Sequence, residues 1–396
     1  MAQPVKKKIQ EKHPDLIKEE PFRTLLVDGN SLLFLSFKDS TMGSDGKHVG
    51  GIFQFLLQLR MMLNKGVFDY VYVFFDNEHS GWLRWNLYKE YKANRDKKYN
   101  EYGQSEYWKT YNVNFRKMQA AIFSKTKKKV EEDHKETYQE FIDENFDRER
   151  DRLLQYFEEL YIRWIMDEIV EGDDFIAYYC KNKKENDRII IMSGDMDLMQ
   201  LLADDISIYN LHVKKFVTPA NFKEYFGYDY HNILVKKILC GDTSDNIGNI
   251  KGLSEDGFYK IYPEAKNKPI TVEDFKERVK TLNEERIKGK KNPLKLYENI
   301  LNGVSNKRYN GDFYEINKKL IDLSEPLLTD EAKEEIDSMM YAPIDPDGRS
   351  IKNVYEMIKE DGITDLMGDT KFASFFSVFK KLEETEKRRY ENLLKK

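Results

Sequence analysis

The sequence predicts an α/β fold with a mostly parallel central sheet flanked by helices. Two observations support this prediction: short apolar runs recur along the first half of the chain, and segments with a helical pattern separate them. Strands that alternate with helices are typical of parallel sheets. A third observation is that polar or acidic residues follow the apolar runs. In open α/β sheets, ligands bind beyond the carboxyl ends of the strands, so these acids mark a candidate site.

Five apolar runs are predicted to be buried strands, because each is short and rich in β-branched or aromatic residues. They are residues 24–27, 70–75, 161–166, 188–192 and 206–209. Residues 51–63 and 173–180 show helical patterns between these runs. From about Asn210 the chain is predicted to be mainly helical, with a basic linker or loop at 285–295.

Residues 99–160 interrupt the alternation, since they are long, highly charged and helical in character, with no evident strand. We expect them to form an inserted arm that stands off the sheet. Its Tyr107, Tyr111 and Phe115 share one helical face. They either pack the arm against itself or stack on the bases of a single strand.

An amphipathic helix is predicted near the end of the chain, where four phenylalanines recur at i, i+3, i+4 and i+7. They are Phe372, Phe375, Phe376 and Phe379. Core packing is the favoured interpretation of this face. A docking helix for a replication protein, such as a single-strand-binding protein or a sliding clamp, is the alternative.

Composition narrows the class of protein. The net charge of −5 argues against a simple DNA-coating protein, yet it is compatible with an enzyme that has an acidic metal site. The cysteines, Cys180 and Cys240, cannot form a disulfide framework or a cysteine zinc site, which indicates a reducing, cytoplasmic compartment. No apolar run approaches the ~18 residues of a membrane span. Residues 1–21 lack the apolar region of a secretory signal, and we expect a mobile lead-in there.

Nine acidic residues follow strands or begin helices and loops in a way that brings most of them to one edge of the sheet. They are Asp28, Asp76, Glu171, Asp173, Asp174, Asp195, Asp197, Asp242 and Asp245. Each alone is compatible with a helix cap or a turn. Together, so many carboxylates would repel one another and raise their own pKa values unless cations neutralised them. Oxygen ligands without Cys or His favour Mg²⁺ or Mn²⁺, and two such ions ~4 Å apart can clamp a scissile phosphate.

Other catalytic patterns are missing from the sequence. It contains no Walker A loop, no G-x-S-x-G elbow and no H-E-x-x-H helix, and its six histidines do not form a zinc pattern. The residues therefore favour metal-assisted hydrolysis of a phosphodiester.

Five segments in order resemble the flap endonuclease and 5′→3′ exonuclease family, which includes the 5′-nuclease domain of bacterial DNA polymerase I. They are LLVDGNSLLF (25–34), VFFDNEHSGWLRWNLYKEYKANRDKK (73–98), VEGDDFIAYY (170–179), IIIMSGDMDLMQLL (189–202) and ILCGDTSDNIGNIKGL (238–253). Within the family, the D-N-x-x-S-G-x-x-R segment is most similar to bacteriophage enzymes of the T-even RNase H type. The resemblance implies a PIN-like sheet with a helical arch insertion at 92–160 in a core of residues 22–210. It also implies a helix-hairpin-type duplex-binding segment at 211–265 and a helical C-terminal region at 266–396.

The resemblance also implies roles for individual residues. Asp28, Asp76, Glu171, Asp173 and Asp174 would bind or orient a first Mg²⁺, and Asp195, Asp197, Asp242 and Asp245 would serve a second; Mn²⁺ could substitute. Lys92 and Arg95 would steady the scissile phosphate, although such a pair alone is typical of a solvated face. Tyr91 would stack on a terminal base.

The duplex-gripping residues implied by the resemblance are Asn246, Gly248, Asn249, Lys251 and Gly252, with a K⁺ ion as the expected companion. The sequence departs from the family at 252–258, where Ser254 replaces a glycine and the acidic Glu255 and Asp256 stand at positions where a basic residue helps. Duplex binding here is expected to be weaker or built differently.

The implied function is 5′→3′ exonuclease and structure-specific 5′ flap endonuclease activity that removes RNA primers or flaps in DNA replication. The implied substrates are DNA and RNA–DNA duplexes with a 5′ end or flap. Two alternatives remain at this point: an RNA-only nuclease of the same sheet type, and a non-catalytic nucleic-acid-binding replication protein.

Overall fold

A six-stranded sheet forms the centre of the first half of the chain. The computed structural model describes residues 21–39, 41–77, 79–94, 138–364 and 369–395. The strands are β1 (Phe22–Asp28), β2 (Tyr70–Asp76), β3 (Arg163–Asp167), β4 (Asp187–Ser193), β5 (Ile206–Asn210) and β6 (Lys215–Val217). Their order in the sheet is β3-β2-β1-β4-β5-β6, and only β6 runs antiparallel to its neighbour. The predicted mostly parallel sheet flanked by helices is confirmed.

The strand order places β1 at the switch point of the sheet, because its two neighbours, β2 and β4, lead the chain outward in opposite directions. Crevices at such points are the usual ligand sites of open α/β sheets. The register aligns Asp28 of β1 with Phe74 of β2 and Val27 with Met192 of β4, so these three strands end almost level. Their carboxyl ends therefore open onto one crevice.

Helices cover both faces of the sheet, as the alternation of buried side chains along the strands requires. In the first half of the chain they are α1 (Gly29–Ser36), α2 (Gly50–Leu63), α3 (Trp82–Leu87), α4 (Tyr138–Glu159) and α5 (Gly172–Asn182). Leu25 and Val27 belong to the core cluster on the side of α1, α2 and α4, whereas Leu26 belongs to the cluster on the side of α5.

The rest of the described chain is mainly helical, as predicted. Its α-helices are α6 (Phe222–Phe226), α7 (Ile233–Cys240), α8 (Glu255–Ile261), α9 (Val272–Lys288), α10 (Lys295–Leu301), α11 (Phe313–Ile321), α12 (Asp330–Met339), α13 (Ile351–Glu360) and α14 (Asp369–Leu394). Helices α7 to α11 share a third core cluster of their own. The predicted basic linker at 285–295 is shorter than expected, since α9 continues to Lys288 and α10 begins at Lys295.

The phenylalanine face near the end of the chain packs into the core, which confirms the favoured interpretation. Phe375, Phe376 and Phe379 of α14 are buried beside Leu56 and Val354 in the cluster that covers one face of the sheet. These rings are therefore not displayed for a docking partner.

The prediction of an arm that stands off the sheet is wrong for the end of the 99–160 segment. Helix α4 covers residues up to Glu159, and Leu153, Tyr156 and Phe157 are fully buried against the sheet. Charged residues dominate the sequence of α4 and hid this apolar stripe. Tyr107, Tyr111 and Phe115 lie outside the described residues. Residues 1–20 of the predicted lead-in and residues 95–137 of the arch insertion also lie outside them.

Glu149 of α4 anchors this helix through buried hydrogen bonds. Its carboxylate contacts the ring of His48 at 2.5 Å and accepts the backbone N–H of Ile52 at 2.9 Å. The other ring nitrogen of His48 is 2.7 Å from the carbonyl of Asp39. The base of the arch insertion is thereby fixed to the start of α2.

Within the described residues, no helix has the length and apolar character needed to cross a membrane.

Candidate metal centre and its basic partners

Two carboxylates at the ends of neighbouring strands begin the site. Asp28 is the last residue of β1 and the N-cap of α1, where it accepts the N–H of Ser31 at 2.9 Å and the hydroxyl of Ser193 at 2.6 Å. Asp76 ends β2 and accepts the N–H of Gly172 at 2.7 Å. Because Gly172 opens α5, this bond holds the start of that helix against the end of β2. Both aspartates are thus fixed at the switch-point crevice.

The start of α5 adds two more carboxylates. Glu171 is the N-cap residue and Asp173 lies in the first turn, where the positive end of the helix dipole favours negative charge. Both line the crevice. Asp174, the next residue, points elsewhere and is 1% exposed.

A second group of carboxylates closes the other side of the crevice. Asp195 follows β4, and its Oδ1 accepts the N–H of Asp197 at 2.7 Å. Asp242 and Asp245 come from the loop that follows α7. One carboxylate oxygen from each of Asp197, Asp242 and Asp245 lies within 4.8 Å of the other two, which suits a shared divalent cation.

Eight of the nine predicted acids line one cavity of about 880 Å³. They are Asp28, Asp76, Glu171, Asp173, Asp195, Asp197, Asp242 and Asp245. The set contains carboxylate oxygens from five separate segments of the chain, and His212 and Cys240 also line the cavity. Such a donor set fits hard divalent cations such as Mg²⁺ or Mn²⁺.

The charges in the cavity are unevenly compensated. Desolvation, opposed by the Ser193 hydrogen bond, raises the pKa of Asp28 to about 7. Burial, followed by repulsion from Asp195, Asp28 and Asp76, raises the pKa of Asp173 well above its ordinary value. The pKa of Asp242 is lowered: although burial opposes this shift, the ammonium of Lys237 outweighs it. The ionised form of these two acids of the first group is therefore disfavoured, and a bound cation would stabilise it.

Tyr91 and Lys92 lie in the segment that follows α3, and both line the cavity. Lys92 Nζ forms an ion pair with Glu171, and the Tyr91 hydroxyl donates to the same carboxylate at 3.1 Å. Tyr91 is only 7% exposed, so its ring offers little surface to a terminal base. The expected stacking role does not fit this position; Tyr91 instead orients Glu171. Arg95 lies outside the described residues.

Asp174 does not face the cavity, because Arg84 binds it on the other side. The Arg84 guanidinium donates to Asp174 Oδ1 at 3.0 Å, to Glu171 Oε2 at 2.5 Å and to the carbonyl of Leu320 at 2.9 Å. Asp174 Oδ1 also accepts the N–H of Leu327 at 2.9 Å. Of the two predicted roles, binding or orienting the first metal, the position of Asp174 favours the orienting one, in which it fixes Arg84 and thereby Glu171.

Backbone and amide hydrogen bonds join the Lys92 segment to the loop of Asp242 and Asp245. The N–H of Lys92 donates to the carbonyl of Asp245 at 2.9 Å, and Asn246 Nδ2 donates to the carbonyl of Glu90 at 2.6 Å. Lys92 and Asn246 both have positive φ, 56° and 60°, which is costly for these residues. Lys307 Nζ in turn donates to the Asn246 carbonyl at 2.9 Å.

Residues 233–262 do form two helices, α7 and α8, which residues 241–254 connect, and several backbone donors of this connection bond to other parts of the protein. The N–H of Gly248 donates to the Tyr309 hydroxyl at 2.8 Å, that of Asn249 to Asn306 Oδ1 at 3.0 Å, and that of Lys251 to the carbonyl of Val304 at 2.8 Å. These three groups are therefore unavailable for phosphate in this arrangement. Their predicted contact with a duplex backbone stays a prediction, and of the set the Lys251 side chain and Gly252 are exposed.

The acidic departure from the family pattern has a local explanation. Ser254 is the N-cap of α8 and accepts the N–H of Gly257, while Glu255 and Asp256 occupy the first turn. Acids at this position stabilise the helix dipole. Lys236 of α7 also pairs with Glu255 at 2.5 Å. The start of α8 is thus already neutralised by the protein's own carboxylates.

Three basic residues of the site were missed by the analysis of the sequence: Arg84, Lys237 and Lys307. Arg84 closes the D-N-x-x-S-G-x-x-R segment, so its position was visible, but its partners were not. Lys237 lies five residues before Asp242, close to one and a half helical turns, and its ammonium contacts both Asp197 and Asp242. Lys307 lies in a loop with no pattern that could have indicated its contact.

A solved nuclease has the same fold. The D15 flap endonuclease of bacteriophage T5, in a pseudo-enzyme–product complex with DNA and metal ions, matches with a TM-score of 0.50 at 17% identity. The match covers 91% of this chain and 99% of that one. At this identity the likeness establishes the fold: a mostly parallel sheet with the α-helical C-terminal region of a flap endonuclease.

The sequence comparison adds the family. The family described as 5′-3′ exonuclease, N-terminal resolvase-like domain, matches residues 23–227, and the chain belongs to it. The 5′-3′ exonuclease of Mycoplasmopsis pulmonis is 26% identical over 256 residues, which are 61% of this chain and 65% of that protein. DNA polymerase I of Bacillus subtilis is 26% identical over 246 residues, 60% of this chain and 23% of that protein. The chain thus spans less than two thirds of the length of these relatives.

Proposed function

We propose that this protein is a Mg²⁺-dependent 5′→3′ exonuclease and structure-specific 5′ flap endonuclease that removes RNA primers or flaps during DNA replication. The observation that carries the proposal is the single cavity into which eight carboxylates from separate segments converge beside Lys92. Membership of the 5′-3′ exonuclease family supports it, as does the shared fold with a flap endonuclease whose complex holds DNA and metal ions.

Two groups of carboxylates would hold two divalent cations. Asp28, Asp76, Glu171 and Asp173 would hold one, and Asp195, Asp197, Asp242 and Asp245 the other. When bound, the metals would supply an activated water and stabilise the leaving oxygen of the phosphodiester. Ser193, Ser31 and the α5 N-terminus keep the ligands in place through the hydrogen bonds described above.

Lys92 would neutralise charge on the scissile phosphate. Its ammonium pairs with Glu171 at the wall of the cavity, and its side chain remains 18% exposed, so it can reach a phosphate that enters. An ammonium directed at oxygens whose charge grows during the reaction lowers the barrier more than it strengthens binding. The role of Arg95 beside it stays a prediction, and so does a K⁺ ion at residues 233–262.

The proposed substrates are DNA and RNA–DNA duplexes with a free 5′ end or a flap, and the arch insertion would select that end. Cleavage of RNA alone is the second enzymatic possibility. A non-catalytic binding protein is disfavoured, because none of the acids that the family pattern requires is missing.

The test is cleavage of a 5′-labelled flapped DNA duplex and an RNA–DNA duplex with and without Mg²⁺. Asp76→Asn and Asp195→Asn should abolish cleavage while the circular dichroism spectrum is unchanged. Asp330→Asn, which alters an exposed aspartate on α12, serves as the matched control and should cleave normally. Retained cleavage in either site variant would refute the assignment, and products from RNA only would favour the RNA-specific alternative.

A second variant separates catalysis from binding. Lys92→Ala should lower the single-turnover rate by about 10²–10³-fold, the usual effect of losing one group that stabilises transition-state charge. Its affinity for the flapped duplex in Ca²⁺ should change much less. An unchanged rate would remove Lys92 from the catalytic mechanism.

A further inference from the structure

Two exposed tryptophans stand on the outer face of α3, a short helix beside the carboxylate cavity. Trp82 is 48% exposed and Trp85 is 43% exposed. Because they are three residues apart, they lie on the same side of the helix. Arg84, on the opposite side, is buried against Glu171 and Asp174. One face of α3 is therefore anchored in the site, while the other presents large aromatic surfaces to solvent.

The helix that carries the tryptophans also contributes to the cavity, since Arg84 is one of its lining residues. Gly81 immediately precedes α3, and a methyl group on its Cα would lie 3.2 Å from the Tyr91 ring and 3.7 Å from Glu171 Oε1. The backbone that leads into Trp82 thus lies close to a cavity-lining carboxylate. A strand whose phosphate lies in the cavity would pass α3, whose outer face carries the tryptophans.

The charge next to the tryptophans suits the same ligand. The ammonium of Lys89 lies 3.4 Å from the centroid of the Trp85 ring and donates to Asn86 Oδ1 at 3.1 Å. A cation over an indole helps to hold the ring in place, and the Trp85 side chain remains exposed. Exposed aromatic rings combined with a lysine are the usual platform for unpaired bases and their phosphates, and stacking of this kind tolerates any sequence.

Alternative explanations of the two tryptophans fit less well. A ring that serves the core is buried, as Tyr88 and Tyr91 are a few residues later. A protein-docking face would explain the exposure of the rings, but not their position on a helix whose opposite face lines the carboxylate cavity. An unpaired strand accounts for the exposure, the position and the lysine together.

We infer that Trp82 and Trp85 form a stacking platform for unpaired bases of the nucleic-acid strand that enters the carboxylate cavity. The inference rests on the proposed function, because that function supplies the strand. The platform would hold the bases next to the scissile phosphate by stacking, with Lys89 pairing a neighbouring phosphate. This surface is distinct from the buried Tyr91 ring.

The test is binding of a fluorescein-labelled thymidine 12-mer, followed by anisotropy in Ca²⁺. Each single variant, Trp82→Ala and Trp85→Ala, should bind about 10-fold more weakly. Trp85→Phe should retain most of the affinity because it keeps an aromatic face. Ile287→Ala, which removes an exposed apolar side chain from α9, is the matched control and should bind normally. Strand binding to the wild type should also quench tryptophan fluorescence, and this quenching should be smaller in a Trp82→Phe/Trp85→Ala variant, in which Trp108 and Trp164 remain.

Three outcomes overturn the platform: unchanged affinity in both alanine variants, an equal loss in the Ile287→Ala control, or strand binding without quenching. Wild-type cleavage of the flapped duplex is measured in parallel with Mg²⁺. Normal cleavage with unchanged affinity in the alanine variants refutes the platform alone, whereas wild-type protein that binds the 12-mer but never cleaves refutes the proposed function. Because both side chains are exposed, the alanine variants should keep the wild-type melting temperature.

Discussion

The most demanding prediction concerns Arg84→Met, which removes the guanidinium that links Glu171 to Asp174. Arg84 is 6% exposed, and its partners Glu171 and Asp174 are 4% and 1% exposed. Methionine fills much of the same volume, so the change isolates the loss of charge and hydrogen bonds. It leaves two buried carboxylates without their shared cation, and one of them, Glu171, faces the cavity.

The expected loss of stability follows from the cost of neutralising a buried carboxylate. Breaking a buried ion pair from one side typically costs about 3–5 kcal/mol. The alternative is to protonate the acid, which costs about 4 kcal/mol at pH 7 and about 1.5 kcal/mol at pH 5 for an aspartate of ordinary pKa. Without Arg84 the folded-state pKa of Asp174 rises further, so stability is present at low pH and is lost as the pH rises through that pKa.

Urea unfolding without metal at pH 5, 7 and 8 measures this loss. We expect Arg84→Met to lose about 4 kcal/mol at pH 7 and less than half of that at pH 5. Arg84→Lys keeps the charge and should lose less at every pH. Arg388→Met, which removes an exposed arginine of α14, should change the free energy of unfolding by less than about 0.5 kcal/mol. A loss below about 1 kcal/mol at pH 7, or one that is independent of pH, would refute the reasoning.

Three further predictions concern the charges around the cavity. Lys237→Met removes an ammonium that contacts both Asp197 and Asp242. Calorimetry should then show Mn²⁺ binding to the second group of acids about 10–100-fold more tightly. Unchanged binding would contradict the idea that the Lys237 ammonium and the metal compete for these carboxylates. Lys307→Met removes the hydrogen bond to the Asn246 carbonyl and should slow flap cleavage about 10-fold, with little effect on flap affinity in Ca²⁺. Equal losses of cleavage rate and of flap affinity would indicate a general structural role for Lys307. Because the pKa of Asp28 is raised to about 7, the metal-free protein should lose stability as the pH rises from about 4 to about 7. Mg²⁺ should therefore raise the melting temperature more at pH 8 than at pH 5. A metal-free melting temperature that rises between pH 4 and pH 7 would contradict the raised pKa of Asp28.

Local patterns in the sequence were enough to locate the strands and most of the acids. Apolar runs of four to six residues gave five of the six strands, because a buried parallel strand needs continuous hydrophobic residues. The sixth, β6, has three residues with only Val217 fully buried, so it carried no usable pattern. The buried half of α4 was missed because its apolar stripe lies within a highly charged sequence.

The sequence by itself determined which chemistry was available: carboxylates placed after parallel strands, a lysine in a basic motif, and no competing catalytic pattern. Strand ends place such acids at one edge, whatever the details of packing. Only the tertiary structure decided the direction of each side chain. Asp174 and Asp173 are adjacent in sequence, yet one faces Arg84 and the other the cavity, because neighbours on a helix point about 100° apart. The backbone N–H groups of Gly248, Asn249 and Lys251 likewise bond to partners more than 50 residues away, and these partners include Asn306 and Tyr309. Contacts across such distances leave no local signal in a sequence.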